Sequence, residues 1–167
     1  MTLELSRKVP LRGALSVGSC VELGIGDPYG PVLAEAHDIE SKVACYPRIV
    51  VSGKAVEFAK ADFSFCPIPR IDQLNKDFGR QCRALMCKDI DGQIIIDFLG
   101  KGMRDFYKCA GNILPVMDAY RFVQSEARRF ADSDNRKLAA RYQLLLHYVE
   151  SRLPLWGLSP EGIGYGG

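Results

Sequence analysis

Leu11-Arg-Gly-Ala-Leu-Ser-Val-Gly18, then Gly30-Pro-Val-Leu-Ala-Glu-Ala-His-Asp-Ile-Glu-Ser41, then Pro47-Arg-Ile-Val-Val-Ser52 stand in this order along the chain and decide its fold class. Leu11 to Gly18 reads as a strand that runs on through Cys20, Val21 and Leu23. The cluster Gly24-Ile-Gly-Asp-Pro-Tyr-Gly30 reads as a loop, because glycine supplies positive φ and Pro28 fixes its own φ. From Val32 the apolar residues Val32, Leu33, Ala36, Ile39, Val43 and Ala44 recur at helical spacing, with Glu35, Asp38 and Lys42 on other faces. Tyr46-Pro47 ends that helix, since a proline ring disfavours the α region for the residue before it. Arg48 to Ser52 is a short apolar strand. A strand, a helix and a strand thus follow in order.

The rest of the chain extends this frame. Gly53 opens a helical stretch from Lys54 to Lys60, and Phe63 to Arg80, with Pro67 and Pro69 close together, reads as irregular. Leu85 to Leu99 predicts a β-hairpin, with Asp91-Gly92 as the turn between β-prone runs. Asp118 is the candidate N-cap of a helix carrying Tyr120, Val123, Ala127 and Phe130 on one face; Asp132 to Asn135 breaks it and caps the next. There Leu138, Tyr142, Leu145, Leu146 and Val149 form an apolar stripe that suits a core or a helix partner, and the helix should stop near Pro154. The glycine-rich tail from Gly162 to Gly167 reads as loose. The expected division is 1–117 as the α+β domain and 118–167 as a C-terminal helical segment and tail.

Composition narrows the function classes. The chain has 167 residues, 47% of them hydrophobic and 25% charged, which suits one soluble globular core. Its 22 basic and 20 acidic residues leave a formal charge of +2 without a long like-charge run, so no general footprint for nucleic acid or a membrane surface is expected. The start lacks a signal-peptide pattern and no apolar run reaches the length of a membrane span, so the cytoplasm is the expected location. Cys20, Cys45, Cys66, Cys82, Cys87 and Cys109 contain no Cys-x-x-Cys pair and lie away from His37 and His147; reduced, mostly buried thiols are expected rather than a metal site. Gly24-x-Gly26-x-x-x-Gly30 lacks the ending of a phosphate loop and reads as a turn.

The three opening segments resemble the second half of a class III nucleotidyl cyclase domain. That family has a strand Arg-x-Gly-Ile-x-x-Gly, a hairpin, a helix Gly-x-x-Val-Asn-x-Ala-x-Arg-Leu-x-Ser and a strand Ile-x-Val-Ser. The resemblance covers residues 9 to 52 best, 85 to 100 less well, and ends by about residue 115. It is nearer still to bacterial cyclase-like proteins with Gly-Pro-x-Leu-x-Glu-Ala-x-x-Leu-Glu-Ser, among them anti-phage enzymes that make cyclic pyrimidine nucleotides. It implies an α+β fold, a partial ferredoxin-like domain with a C-terminal helical segment, a nucleoside triphosphate ligand, and a homo- or heterodimeric active site.

In such a site two aspartates of the first half hold two divalent ions, and the second half of the facing copy holds base and ribose. Aligned on Gly30, Ala36 and Ser41, the family's base-contacting aspartate falls at Pro31, its asparagine at Ala34 and its arginine at Asp38. A carboxylate at Asp38 reverses the sign of a contact that acts on developing negative charge. Arg12, Gly30 and Glu35 remain as the substrate-binding candidates. For each a structural role stands beside the functional one: Arg12 as an exposed strand residue or ion pair, Gly30 as a turn, Glu35 on a solvated helix face. Asp89, Asp91 and Asp97 are weak metal candidates, because hairpin turn chemistry accounts for Asp91. The first-half strands and metal aspartates are not found before Leu11, so the expectation is a C-terminal piece of a longer protein, or a sheet edge that pairs with another chain. Mg or Mn is then expected only with a metal-binding half. The function expected is a contribution to cyclic-nucleotide formation, inactive alone; the alternative is a non-catalytic nucleotide-sensing or interaction module.

Overall fold

A computed structural model describes residues 1–61, 69–108 and 114–161. In chain order the elements are α1 (Thr2–Ser6), β1 (Gly13–Leu15), β2 (Val21–Gly24), β3 (Asp27–Tyr29), α2 (Pro31–Lys42), β4 (Ile49–Val51), α3 (Gly53–Lys60), α4 (Pro69–Ala84), β5 (Met86–Lys88), β6 (Ile94–Ile96), α5 (Lys101–Lys108), α6 (Leu114–Ala131), α7 (Arg136–Arg152) and a 3₁₀ turn, Leu153–Trp156. The fold is α+β. The chain divides into two units, one made of Met1–Arg12, Cys45–Arg48 and Asp97–Gly167, the other of Gly13–Ala44 and Ile49–Ile96.

The second of these is built on a mixed four-stranded sheet of order β1-β4-β6-β5. β1 and β4 run parallel with Gly13 opposite Ile49 and Leu15 opposite Val51, and α2 is the crossover between them. Parallel neighbours require such a crossover, and α2 packs on both strands. β4 pairs antiparallel with β6 through Val50 and Ile95, both essentially buried, and β5 completes the hairpin. The turn closes where the sequence places it: the Asp89 N–H donates to the Gln93 carbonyl at 2.8 Å and Asp91 Oδ1 accepts from the Gln93 N–H at 3.2 Å. Ser52 ends β4 and caps α3, its hydroxyl accepting from the Ala55 N–H at 3.1 Å.

The other unit is helical. α6 packs against α1 and α7, with Leu5, Ala119, Val123, Ala127, Leu145 and Val149 fully buried. Asn135 Oδ1 accepts from the Leu138 N–H at 3.1 Å and starts α7, as its sequence predicts. A buried polar relay joins α7 to the segment after β6: the Leu99 N–H donates to the Tyr148 hydroxyl at 3.1 Å, and that hydroxyl donates to Asp97 at 2.8 Å. The Trp156 indole N–H donates to the Leu99 carbonyl at 2.8 Å. These contacts satisfy groups that would be costly to bury unpaired.

Four expectations need correction. Residues 69–84, inside and beyond the stretch read as irregular, are helical; Pro69 is the first helical residue, where a missing N–H costs nothing. Asp118 is not an N-cap but lies within α6, which starts at Leu114, and it pairs with Arg121 at 3.5 Å. The cluster Gly24 to Gly30 is not all loop, since Asp27–Tyr29 forms β3 against β2. None of the four described cysteines is buried: Cys20 and Cys45 are exposed, Cys82 and Cys87 half-buried. Cys66, Cys109, Phe63 to Pro67 and the tail from Gly162 lie outside the described residues. No helix among the described residues is long and apolar enough to cross a membrane.

Candidate functional site

Gly30 immediately precedes α2 and Glu35 sits on it. A Cβ at Gly30 would stand 2.6 Å from the Ser19 carbonyl oxygen and 3.0 Å from the Cys20 Cα. Only glycine allows the chain entering β2 to pass so close to the start of α2, so Gly30 has a firm structural role. Pro31 follows as the first helical residue, a position it suits. Glu35 accepts from Lys54 Nζ at 2.6 Å, which ties α2 to the first turn of α3. Asp38 pairs with Lys42 at 2.9 Å, and Ser41 donates to the Asp38 carbonyl at 3.2 Å. The acidic groups of this helix are thus matched to local partners. His37 is exposed, and as its neighbour on a helix Asp38 points another way.

Arg12 belongs to the helical unit, where it lines a cleft of about 260 Å³ with Cys45, Tyr46, Leu138, Arg141 and Tyr142. Two guanidinium groups therefore border an aromatic wall. Arg48, 1% exposed, lies under this wall: its guanidinium carbon is 4.7 Å from the Tyr46 ring centroid, and Nη2 donates to Cys45 Sγ at 3.6 Å. Tyr142 stacks on Phe130 at 5.2 Å and meets Phe122 edge-on at 6.5 Å. Burial, reinforced by Glu126 and opposed by Arg129, pushes the Tyr142 phenol above its usual pKa, so it remains a neutral hydrogen-bonding group at pH 7. Such a cleft can hold an anion attached to a flat apolar body. Sequence reasoning missed Arg141, Tyr46 and Tyr142, because the α7 stripe reads as packing. The clue was an arginine interrupting that stripe beside its tyrosine.

The carboxylates considered for metal do not fit the two divalent ions that the cyclase resemblance implies. Asp89 Oδ1 accepts from the Ile90 N–H at 2.8 Å and Asp91 Oδ1 from the Gln93 N–H, both serving the hairpin turn. Asp97 Oδ1 accepts from Tyr148 and from Arg152 Nε at 2.9 Å. Among the described residues no group of three or more His, Cys, Asp or Glu side chains is placed to hold a metal ion. Comparison with protein-family models, with curated proteins and with solved structures returns no match to this chain.

Proposed function

We propose that this chain is a ferredoxin-like cyclase-homology domain that binds a nucleoside triphosphate and contributes to its cyclisation, with the metal-binding carboxylates supplied by a partner or by further sequence. The observation that carries this reading is the cleft at Arg12, where Arg141 adds a second cation and Tyr46 and Tyr142 add aromatic surface. Phosphates suit the paired guanidinium groups, and a base suits the aromatic wall. The motif segment supports it further: the strand β1, the hairpin β2–β3, the helix α2 and the strand β4 follow in the order found in the family. No step through a metal is assigned to residues of this chain.

A second reading is a non-catalytic nucleotide-sensing module. It is favoured by α2, where Pro31 and Ala34 offer no polar side chain and Asp38 is paired with Lys42. Both readings require nucleotide binding and differ in its consequence. The test is calorimetric titration of the purified chain with each of the four ribonucleoside triphosphates in Mn²⁺, with cyclic mononucleotides sought by mass spectrometry. The expected result is binding of at least one triphosphate, weakened at least about tenfold in Arg12→Ala/Arg141→Ala, with no cyclic product from the chain alone. Absence of binding by all four would sink both readings. A cyclic product would assign the metal site to this chain and overturn the division of labour proposed.

A further inference from the structure

Helix α4 places Asn75, Lys76, Gly79, Arg80 and Arg83 along one side by its 3.6-residue period, and this side faces the C-terminal end of α3. With Lys60 from α3 they line a cleft of about 420 Å³, a size in the range of small-molecule sites. Four of these residues, Lys60, Lys76, Arg80 and Arg83, are cationic, and among the described residues lining the cleft none is a carboxylate. The sequence gives no hint of this concentration, because the net charge is only +2 and the stretch carries acids between its bases.

Two features make the cleft more than a run of surface lysines. Gly79 is a buried glycine in the middle of a helix, a position that costs stability relative to alanine. A Cβ there would stand 3.3 Å from Arg83 Nη1 and 3.4 Å from the Ala59 carbonyl oxygen. The bare backbone lets Arg83 reach across and donate to that carbonyl at 2.6 Å. The carbonyl end of a helix repels anions, and Arg83 covers it in α3. The remaining cations are held by carboxylates of their own helices: Lys60 by Glu57 at 3.1 Å, Lys76 by Asp72 at 2.8 Å and Arg80 by Asp77 at 2.9 Å. The Lys60–Glu57 and Arg80–Asp77 pairs are solvent-exposed and weak, so a multivalent anion in the cleft can draw those cations to itself, while Asp72 is half-buried.

We propose that the α3–α4 cleft is a binding site for a polyphosphate anion, read by Lys60, Lys76, Arg80 and Arg83 with the Asn75 amide as an additional polar contact. This site does not rest on the cyclase reading and shares no residue with the Arg12 cleft. The cations grip a chain of phosphoryl groups, whether inorganic or the tail of a nucleotide.

The test titrates the full chain with inorganic tripolyphosphate by calorimetry, comparing the native protein, Lys76→Glu/Arg80→Glu, and Arg136→Glu/Lys137→Glu, which alters net charge equally on exposed residues elsewhere. Saturable binding is expected in all but the first double variant, which should lose at least about tenfold in affinity. Lys60→Gln/Arg80→Gln, which removes charge without adding repulsion, should weaken binding in the same direction and serves if the reversal does not fold. A native chain that fails to bind saturably would overturn the site, as would equal binding by the α4 variants. Adenosine triphosphate as a second ligand, read as the part of binding lost in Lys76→Glu/Arg80→Glu, separates the sources: affinity equal to tripolyphosphate means that the phosphate chain is read alone, and higher affinity names a nucleotide.

Discussion

Helices α6 and α2 carry apolar residues at the same spacing and use them differently. α6 buries Val116, Ala119, Tyr120, Val123 and Ala127, whereas α2 buries none of its twelve residues. The hairpin before α2 is more open still, with Val21, Leu23 and Tyr29 all more than half exposed. Helical periodicity therefore reports a face and not its burial. α6 has α1 and α7 to lie against, each supplying fully buried side chains; α2 rests on two strands of three residues each. The motif segments that open the sequence reading lie mostly in the unit that depends less on burial.

Mutations can break this comparison. Leu145→Ala empties a fully buried position against α6 and should cost about 2–5 kcal/mol, measured as the loss of unfolding free energy in urea. A loss no greater than that of a surface substitution would mean that the helical unit is not the better packed. Gly30→Ala comes next, since its Cβ must displace the Ser19 carbonyl; a cost of about 1–3 kcal/mol is expected by the same measurement. An unchanged midpoint would show that the chain before β2 moves aside freely. Leu23→Ser should be the mildest, within about 0.5 kcal/mol, because this side chain is 69% exposed. A loss several times larger would reveal that the ribbon is covered in solution.

The elements with local signals were legible in the sequence. Asp91-Gly92 marked the β5–β6 hairpin and Asn135 marked the start of α7, whereas α2, expected to run to Tyr46-Pro47, stops already at Lys42. α4 was missed because its first proline was taken as a breaker, although Ile71, Leu74, Phe78 and Cys82 follow at spacings of three and four. α1 was missed because five residues give no period to read, and its helix is supported by α6 far along the chain. The two units were not legible as such: the chain alternates between them, and such alternation depends on long-range contact instead of a composition shift. For the sites, the glycine and glutamate of the motif could be picked out but not their partners. Lys54 on Glu35 and the Ser19 carbonyl beside Gly30 belong to other elements. The α3–α4 cleft was hidden for the opposite reason, because its cations are diluted by acids in sequence and gathered only where one face of α4 meets the end of α3.

Ser52 carries a consequence for the order of folding. Its N–H donates to the Leu15 carbonyl at 2.8 Å while its hydroxyl accepts from Ser16 Oγ at 3.0 Å, across a separation of 36 residues. Parallel pairing closes a loop of this size before its ladder returns any free energy, and three-residue strands return little. The α6–α7 pair closes over a short turn and has no such delay. The capping hydroxyl at the end of β4 therefore acts as a latch on this closure, holding β1 in phase with β4 once α2 has brought them together. A slip by one residue would turn every side chain of β1 to the opposite face.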